Sequence, residues 1–425
     1  MQIAFKGVRG YTYVVANVSM IKLQFAPKRT EVSWRKWFQA LVATVFSNDR
    51  QGHIKRIQAI CSADSELVIC WSVRSAFDLL LEAMQWGEED EILFSGVTIA
   101  DMPKLAELRG IRVKAFDIDP KTGEPDISHL KRLVSSRTKA VVVVHLFGTR
   151  YDLSSLISFT SKQGIVLVED CAQAYNGPGW KGHEGADLSL FSFGPVKTAT
   201  ALGGSLAYIR NVKIREEMTR IHESYPVQRR SEYITRLLKF IPMSIGSQPL
   251  VFTVINLVLR GLSIDTERLI HSSSSNRKLK ESVTQLRRRP TTGLLKLLTL
   301  QLEEGVEPLV KRRHLADTFL DELSHTDLVP TASIEAHNYW IMPLVLDGTS
   351  LTKKDFRDAG IFVISTRMVK LDGLSDDSGA ARIANAIMLP FDPYMKPDEL
   401  RILAGKVNQL FHRQNLTTSL TGQSV

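Results

Sequence analysis

The 425-residue sequence has only three cysteines, Cys61, Cys70 and Cys171. Three thiols cannot make a disulfide framework, and their spacing fits no metal site, so a reducing compartment is expected. Zinc-finger spacing and the aromatic signature of RNA-binding domains are both missing. Apart from Arg287, Arg288 and Arg289 the basic residues are scattered. A formal charge of +9 therefore points to a solvated basic face and to anionic small molecules or acidic lipid, and nucleic acid is not expected as a partner. The first thirty residues lack any acid but carry Lys6, Arg9, Lys22, Lys28 and Arg29. That faintly suits a targeting segment, although a poorly structured extension explains it more simply. Internal repeats are also lacking.

Alternation organises what is present. Between residues 65 and 210, short β-branched runs alternate with helical stretches, the signal of a mostly parallel sheet covered by helices. Strands are expected at 66–71, 91–94, 112–118, 140–145, 165–169, 188–193 and 205–209. Ala76, Leu79, Leu80 and Met84 recur at helical spacing, with Gly87 expected to end their helix, and a second helix is expected at 152–162 up to Gly164. The predicted layout is an N-terminal extension and helical segment (1–64), a large α/β core (65–210) and a basic helical segment (211–324). A small α+β C-terminal domain (325–412) and a loose tail (413–425) complete it. The small domain is predicted to hold strands at 339–346 and 361–364 and helices at 353–359 and 397–411.

One stretch resists this scheme. Residues 240–259 carry no charge for twenty positions, between Lys239 and Arg260. Their length suits a membrane span, but Pro242, Gly246, Gln248, Pro249 and Asn256 interrupt it. An apolar helix ending near residue 262, used for an intramolecular or subunit contact, is the expectation, with peripheral membrane contact as the alternative.

Two charged residues stand at the ends of predicted strands. Asp170 closes Gly164-Ile165-Val166-Leu167-Val168-Glu169-Asp170, at the edge where open α/β sheets bind ligands. Read alone, Glu169 and Asp170 also suit a helix cap. Lys197 follows the strand that ends in Phe191-Ser192-Phe193, and Gly203 and Gly204 precede the next one. An amine can capture a carbonyl only when neutral, so a functional lysine needs surroundings that lower its pKa.

The segments VEDCAQA (168–174) and FSFGPVKTATALGGSLAYI (191–209), with Asp170 and Lys197 twenty-seven residues apart, resemble the DegT/StrS family of sugar aminotransferases. GEEDEILFSGVTIADM from Gly87, KAFDIDPKTGEPDISHL from Lys114, SSRTKAVVVVHLFGTRYDL from Ser135 and IMLPFDPYMKPDEL from Ile387 follow in the family's order. The resemblance implies a fold-type-I α/β architecture: a mostly parallel, mixed seven-stranded sheet sandwiched by helices, with a smaller α+β domain. It implies pyridoxal 5′-phosphate held as a Schiff base by Lys197. Asp170 would pair with the pyridine nitrogen, Gln173 would contact the phenolic oxygen, and Ser192 would bind phosphate. Arg74 and Ser75 are further phosphate candidates, and Ile99 is a candidate to pack on the ring.

Three departures mark a divergent member. Ser72-Val73-Arg74-Ser75 replaces the family's Ser-Gly-Thr turn, so a glycine that permits close phosphate approach is gone. Ile99 stands where relatives carry an aromatic residue, and an asparagine that reaches the neighbouring subunit's cofactor is not visible in 221–226.

The implied activity is transfer of an amino group from an amino acid, glutamate being the expected donor, to a nucleotide-linked keto sugar by a cytoplasmic homodimer. The alternatives are a catalytically silent, cofactor-binding regulator, membrane-associated or not, and another pyridoxal enzyme such as a lyase. Of the remaining polar residues, His145 and His183 read as structural, while Asn338, Tyr339, Trp340 and Arg367 are candidates to line the substrate entrance.

Overall fold

A computed structural model describes residues 23–63, 66–262, 264, 266–267 and 279–421, with the side chains of 279–282 and 415–421 left undescribed. The targeting segment considered for the first thirty residues falls almost wholly outside the described residues.

Seven strands build the large sheet: β1 (Leu67–Cys70), β2 (Glu91–Ser95), β4 (Arg112–Phe116), β5 (Thr138–Val144), β6 (Val166–Asp170), β7 (Leu188–Ser192) and β8 (Ser205–Ile209). Their order is β1-β8-β7-β6-β5-β2-β4. The five strands from β7 to β4 pair in parallel, and β8 runs antiparallel to both β7 and β1. The sequence pattern predicts each strand within a few residues, because runs such as Ala140-Val141-Val142-Val143-Val144 are buried on both faces, as a sheet covered on two sides requires.

Helices α3 (Val73–Met84), α4 (Asp101–Glu107), α5 (Ile127–Leu133), α6 (Ser154–Gln163) and α7 (Val212–Ser224) connect and cover these strands. Helix α3 has Ser72 as its N-cap, the Oγ accepting from the Ser75 amide at 3.2 Å. Gln85, not Gly87, ends it by taking the left-handed conformation, at φ 51°. A polar side chain tolerates that conformation well enough to displace the expected glycine by two positions.

At the N-terminus, α1 (Trp34–Phe46) and α2 (Arg50–Ile60) pack on the buried helix Thr292–Leu302. The approach is close: a Cβ on Gly293 would lie 1.7 Å from Thr44 Oγ1. The basic segment continues as α8 (Arg230–Gly246) and α9 (Pro249–Gly261), bent by 82° relative to each other. No single helix among the described residues is long and apolar enough to cross a membrane.

The arginine run is not a free basic patch. Arg287 pairs with Asp78 and Glu82, Arg288 with Glu232, and Arg289 donates to the Tyr225 carbonyl. These bonds tie the basic segment onto α3 and α8.

A three-stranded antiparallel sheet, formed by Met342–Leu344, Ile387–Leu389 and Ile364–Ser365, centres the small domain, with shorter strands than the sequence suggested. Strand Val369–Lys370 pairs with β3 (Val97–Thr98) of the large domain, so the two domains are joined beside Ile99. The final helix runs Pro397–Thr421 and takes in most of the tail expected to be loose, while residues 422–425 lie outside the described residues.

Candidate active site

The parallel strands end on a common edge, and the candidate side chains gather there. Asp170, buried at the end of β6, accepts from the Ala172 amide at 2.9 Å. Burial pushes its carboxyl pKa up, while the Ala172 amide and then the Lys197 charge pull it back. Such a carboxylate needs a cationic partner to stay ionised. Lys197, largely shielded from solvent, has its pKa lowered to about 8 by burial, with Asp170 opposing the fall. At neutral pH about one molecule in ten then carries the neutral amine, against fewer than one in a thousand for a free lysine.

Trp340 is the shield. The Lys197 Nζ lies 3.9 Å from its ring centroid, and the indole Nε1 donates to the Val196 carbonyl at 2.9 Å. Lys28 approaches from the N-terminal segment, its Nζ 2.8 Å from the Trp340 carbonyl oxygen and 5.7 Å from the ring centroid. Of the four residues expected at the entrance, Trp340 thus reaches the lysine directly. Tyr339 packs at 3.9 Å on the buried His337 ring, and Asn338 bonds the Tyr175 carbonyl, so both serve packing. Arg367 is exposed at the rim, directly before Met368.

Gln173 is buried with its Oε1 accepting from the Phe147 amide at 2.9 Å and its Nε2 3.3 Å from the Met368 sulfur. Sulfur is a weak acceptor, so that N–H is available to a better oxygen. Ile99 is partly buried, packed where the large-domain core meets the small domain.

The start of α3 faces the same edge. Ser72 Oγ lies 2.9 Å from Ser75 Oγ, and Ser192 sits opposite Ser205 in the sheet register. Arg74, also at the start of α3, has its guanidinium 2.6 Å from Asp101 and is partly exposed.

Several buried polar atoms at this edge have no protein partner, among them Trp71 Nε1, Thr98 Oγ1, Thr198 Oγ1 and Ser205 Oγ. Unsatisfied buried groups are costly, and a cluster of them beside a helix N-terminus fits an anionic group. Backbone strain gathers here too. Phe147, Ala199, Leu202 and Tyr339 have positive φ values of 56°, 54°, 57° and 49°, each within a few residues of His145, Lys197 or Trp340.

Behind the site lies a network that sequence reasoning missed. Glu169 is fully buried, with Oε1 3.1 Å from His145 Nε2 and 2.5 Å from His183 Nδ1. Its Oε2 accepts from the His183 amide at 2.9 Å and from Ser189 Oγ at 2.5 Å. These donors hold the Glu169 carboxyl far below the usual range against its burial, while the Glu169 hydrogen bond raises the His183 pKa. The Tyr151 amide points at His145 Nδ1 from 3.2 Å, which fixes the proton on Nε2. A metal would need a lone pair there, so the cluster is a hydrogen-bonded brace and not a metal centre. Gly182 permits it: at φ +88° a Cβ would meet Glu169 Oε2 at 2.4 Å. The adjacent Glu169-Asp170 pair was the available signal, since alternate strand residues must face opposite sides of the sheet.

Residues 63–238 match the DegT/DnrJ/EryC1/StrS aminotransferase family. Through this segment the chain is similar to that family. It is 31% identical over 147 residues to a UDP-2-acetamido-2-deoxy-3-oxo-D-glucuronate aminotransferase of Pseudomonas aeruginosa, covering 34% of this chain and 41% of the relative. It is 28% identical over 184 residues to a pleiotropic regulatory protein of Geobacillus stearothermophilus, covering 41% and 49%. The chain thus spans about half or less of the curated relatives it matches. In fold, it resembles the aminotransferase TlmJ from Streptoalloteichus hindustanus, with a TM-score of 0.67 at 16% identity over 92% of this chain and 99% of the other. The fold-type-I architecture therefore extends beyond the matched segment, into the small domain.

Proposed function

We propose that the protein is a pyridoxal-phosphate-dependent aminotransferase that moves an amino group from an amino acid, glutamate first among the candidates, to a nucleotide-linked keto sugar. The observation that carries this reading is Lys197, an amine of lowered pKa, gathered with the buried Asp170 at the ligand-binding edge of the sheet. When bound, pyridoxal phosphate supplies the carbonyl that holds an amine and the ring that accepts electrons from a substrate carbon.

This chain's residues fit that group. Lys197 would hold it, and its amine could move a proton at the substrate carbon, a role usually worth about 10² to 10⁴ in rate. Asp170 keeps a proton on the pyridine nitrogen and gains the cation its burial calls for. Gln173 can exchange the Met368 sulfur for the phenolic oxygen. Ser72, Ser75, Ser192 and the unpartnered Ser205 hydroxyl and Trp71 indole offer donors to the phosphate, assisted by the helix dipole of α3. Trp340 would cover Lys197 and exclude water, and Arg367, next to Met368, would receive a substrate carboxylate.

The nucleotide-sugar acceptor is supported by the name of the Pseudomonas relative, and a basic chain suits an anionic substrate. A cytoplasmic homodimer completes the proposal, on the strength of the family resemblance.

The test is the half-reaction spectrum. Holoprotein mixed with glutamate and a panel of other amino donors should lose its visible cofactor absorbance, and keto-sugar acceptors should restore it. Lys197→Ala should abolish the visible band and the turnover together. Retention of both in purified Lys197→Ala protein refutes the reading. A second reading, a cofactor-binding regulator without turnover, draws on the altered Ser72–Ser75 turn, where Arg74 is paired with Asp101. Absence of spectral change with every donor would favour it.

A further inference from the structure

Helix α9 is built inside out. Its buried residues are Phe252, Thr253 and Asn256, two of them polar. Thr253 Oγ1 accepts from the Gln24 amide at 2.8 Å and donates to the Pro249 carbonyl at 2.6 Å, while Asn256 bonds the Gln24 side chain and receives Thr266 Oγ1 at 2.9 Å. The opposite side exposes Leu250, Val254, Ile255, Leu257, Val258 and Leu262, with Leu250 67% and Leu262 64% exposed. A helix on the surface of a water-soluble domain turns its apolar stripe inward. Here the polar positions are spent on hydrogen bonds to the protein and the aliphatic ones are left outside.

The face extends beyond α9. Helix α8 exposes Leu238, Met243 and Ile245, and α1, joined to α8 through Trp37 Nε1 and the Leu237 carbonyl at 3.1 Å, exposes Trp34, Phe38 and Phe46. Charge accompanies it. Residues 229–264 contain five basic residues and one described acid, Glu232, which is tied to Arg288; Arg236 is held on the Leu202 carbonyl, Arg230 on the Val45 and Ser47 carbonyls and Arg260 near Asp358, and Arg229 and Lys239 are exposed.

We infer that α8 and α9 dock the protein onto an anionic lipid surface, with the aliphatic face of α9 set into the headgroup boundary. Length excludes a crossing. Thirteen residues at about 1.5 Å each give roughly 20 Å, short of the ~30 Å hydrocarbon core, and the 82° bend keeps α8 from extending α9 in line. An apolar face with a basic surround, lying in the plane of the interface, is how amphipathic anchors bind acidic membranes.

The experiment is co-sedimentation of full-length holoprotein with vesicles of phosphatidylcholine alone or with one-third phosphatidylglycerol. Binding is expected to the anionic vesicles, at least tenfold stronger than to neutral ones and reduced by salt. The double substitution Leu250→Glu with Val258→Glu should lower that binding at least tenfold while leaving the cofactor absorbance unchanged. Should that variant fail to fold, quenching of the wild-type tryptophan fluorescence by brominated lipid supplies the readout, and its absence overturns the inference. The inference also falls if neither vesicle binds at any salt concentration, or if the substitutions only split a dimer seen by light scattering. None of these outcomes depends on turnover, so the aminotransferase reading stands or falls separately.

Discussion

Trp340 acts on Lys197 in two opposed ways, and their balance can be measured. As a π-face 3.9 Å from Nζ it favours the ammonium, an effect worth about 0.5–2 kcal/mol. As a cover it removes water and disfavours the same charge. A pKa of about 8 in place of 10.5 corresponds to about 3 kcal/mol against the ammonium, so exclusion of water outweighs the attraction. For the sign, a lysine whose folded pKa is depressed is charged below about 8 and neutral above it. The rate at which apoprotein captures pyridoxal phosphate should therefore rise about tenfold per pH unit below 8 and level off above it. In Trp340→Ala, solvent reaches the amine, the midpoint should move up by one unit or more, and capture at pH 7 should slow by tenfold or more. The assay is stopped-flow absorbance at pH 6–10, with the cofactor's own titration subtracted. A midpoint that stays at 8, or moves down, in Trp340→Ala refutes the assignment of Trp340 as the desolvating cover.

Asp170→Asn removes the charge that holds the Lys197 pKa up, so the capture midpoint should fall below 8 while turnover drops a hundredfold or more, as expected when a buried ionic partner is lost; pH–rate profiles with and without amino donor check both. Glu169→Gln leaves His145, His183 and Ser189 without their charged acceptor, and should cost about 3–5 kcal/mol, read by denaturant unfolding. Because the Glu169 pKa is depressed, its contribution is present above about 4.5 and lost as pH falls through the folded value, whereas the raised His183 contribution is complete below about 6.5 and lost as pH rises through its folded value. His183→Ala should therefore destabilise more at pH 6 than at pH 9. Gly148→Ala should lower the melting temperature by several degrees and weaken cofactor binding, because at φ +117° its Cβ would meet Asn338 Oδ1 at 2.2 Å and the Trp340 amide at 2.7 Å.

The large domain was legible because its signals are local. Doubly buried strands read as β-branched runs, and Asp170 and Lys197 sit where those runs end. The small domain was less so: its strands are two or three residues long, and their pairing is set by contacts distant in sequence, such as Val369 with Thr98. Trp340 was visible as one of four candidates for the substrate entrance, without its partner. Its place over Lys197, 143 positions away, depends on the left-handed turn at Tyr339 and on Lys28 from the far end of the chain. The Arg74 ion pair was not legible for a similar reason, since its partner, Asp101, begins a different helix.

The site residues implied by the family resemblance and the positions beside the small domain occupy different layers. Lys197, Asp170, Gln173 and Ser192 lie along the sheet edge, where strand geometry leaves little freedom. Ile99 and Trp340 lie on segments that also join the two domains, through β3 and Val369–Lys370 and through the bond from Trp340 to Val196, while Arg74 on α3 pairs with Asp101 of α4. Substitutions in that second layer can alter what the site admits without disturbing the lysine and aspartate. The same division separates α8 and α9 from the chemistry: their polar residues bond to Gln24 and Thr266, so the aliphatic face can change while the sheet edge keeps its geometry.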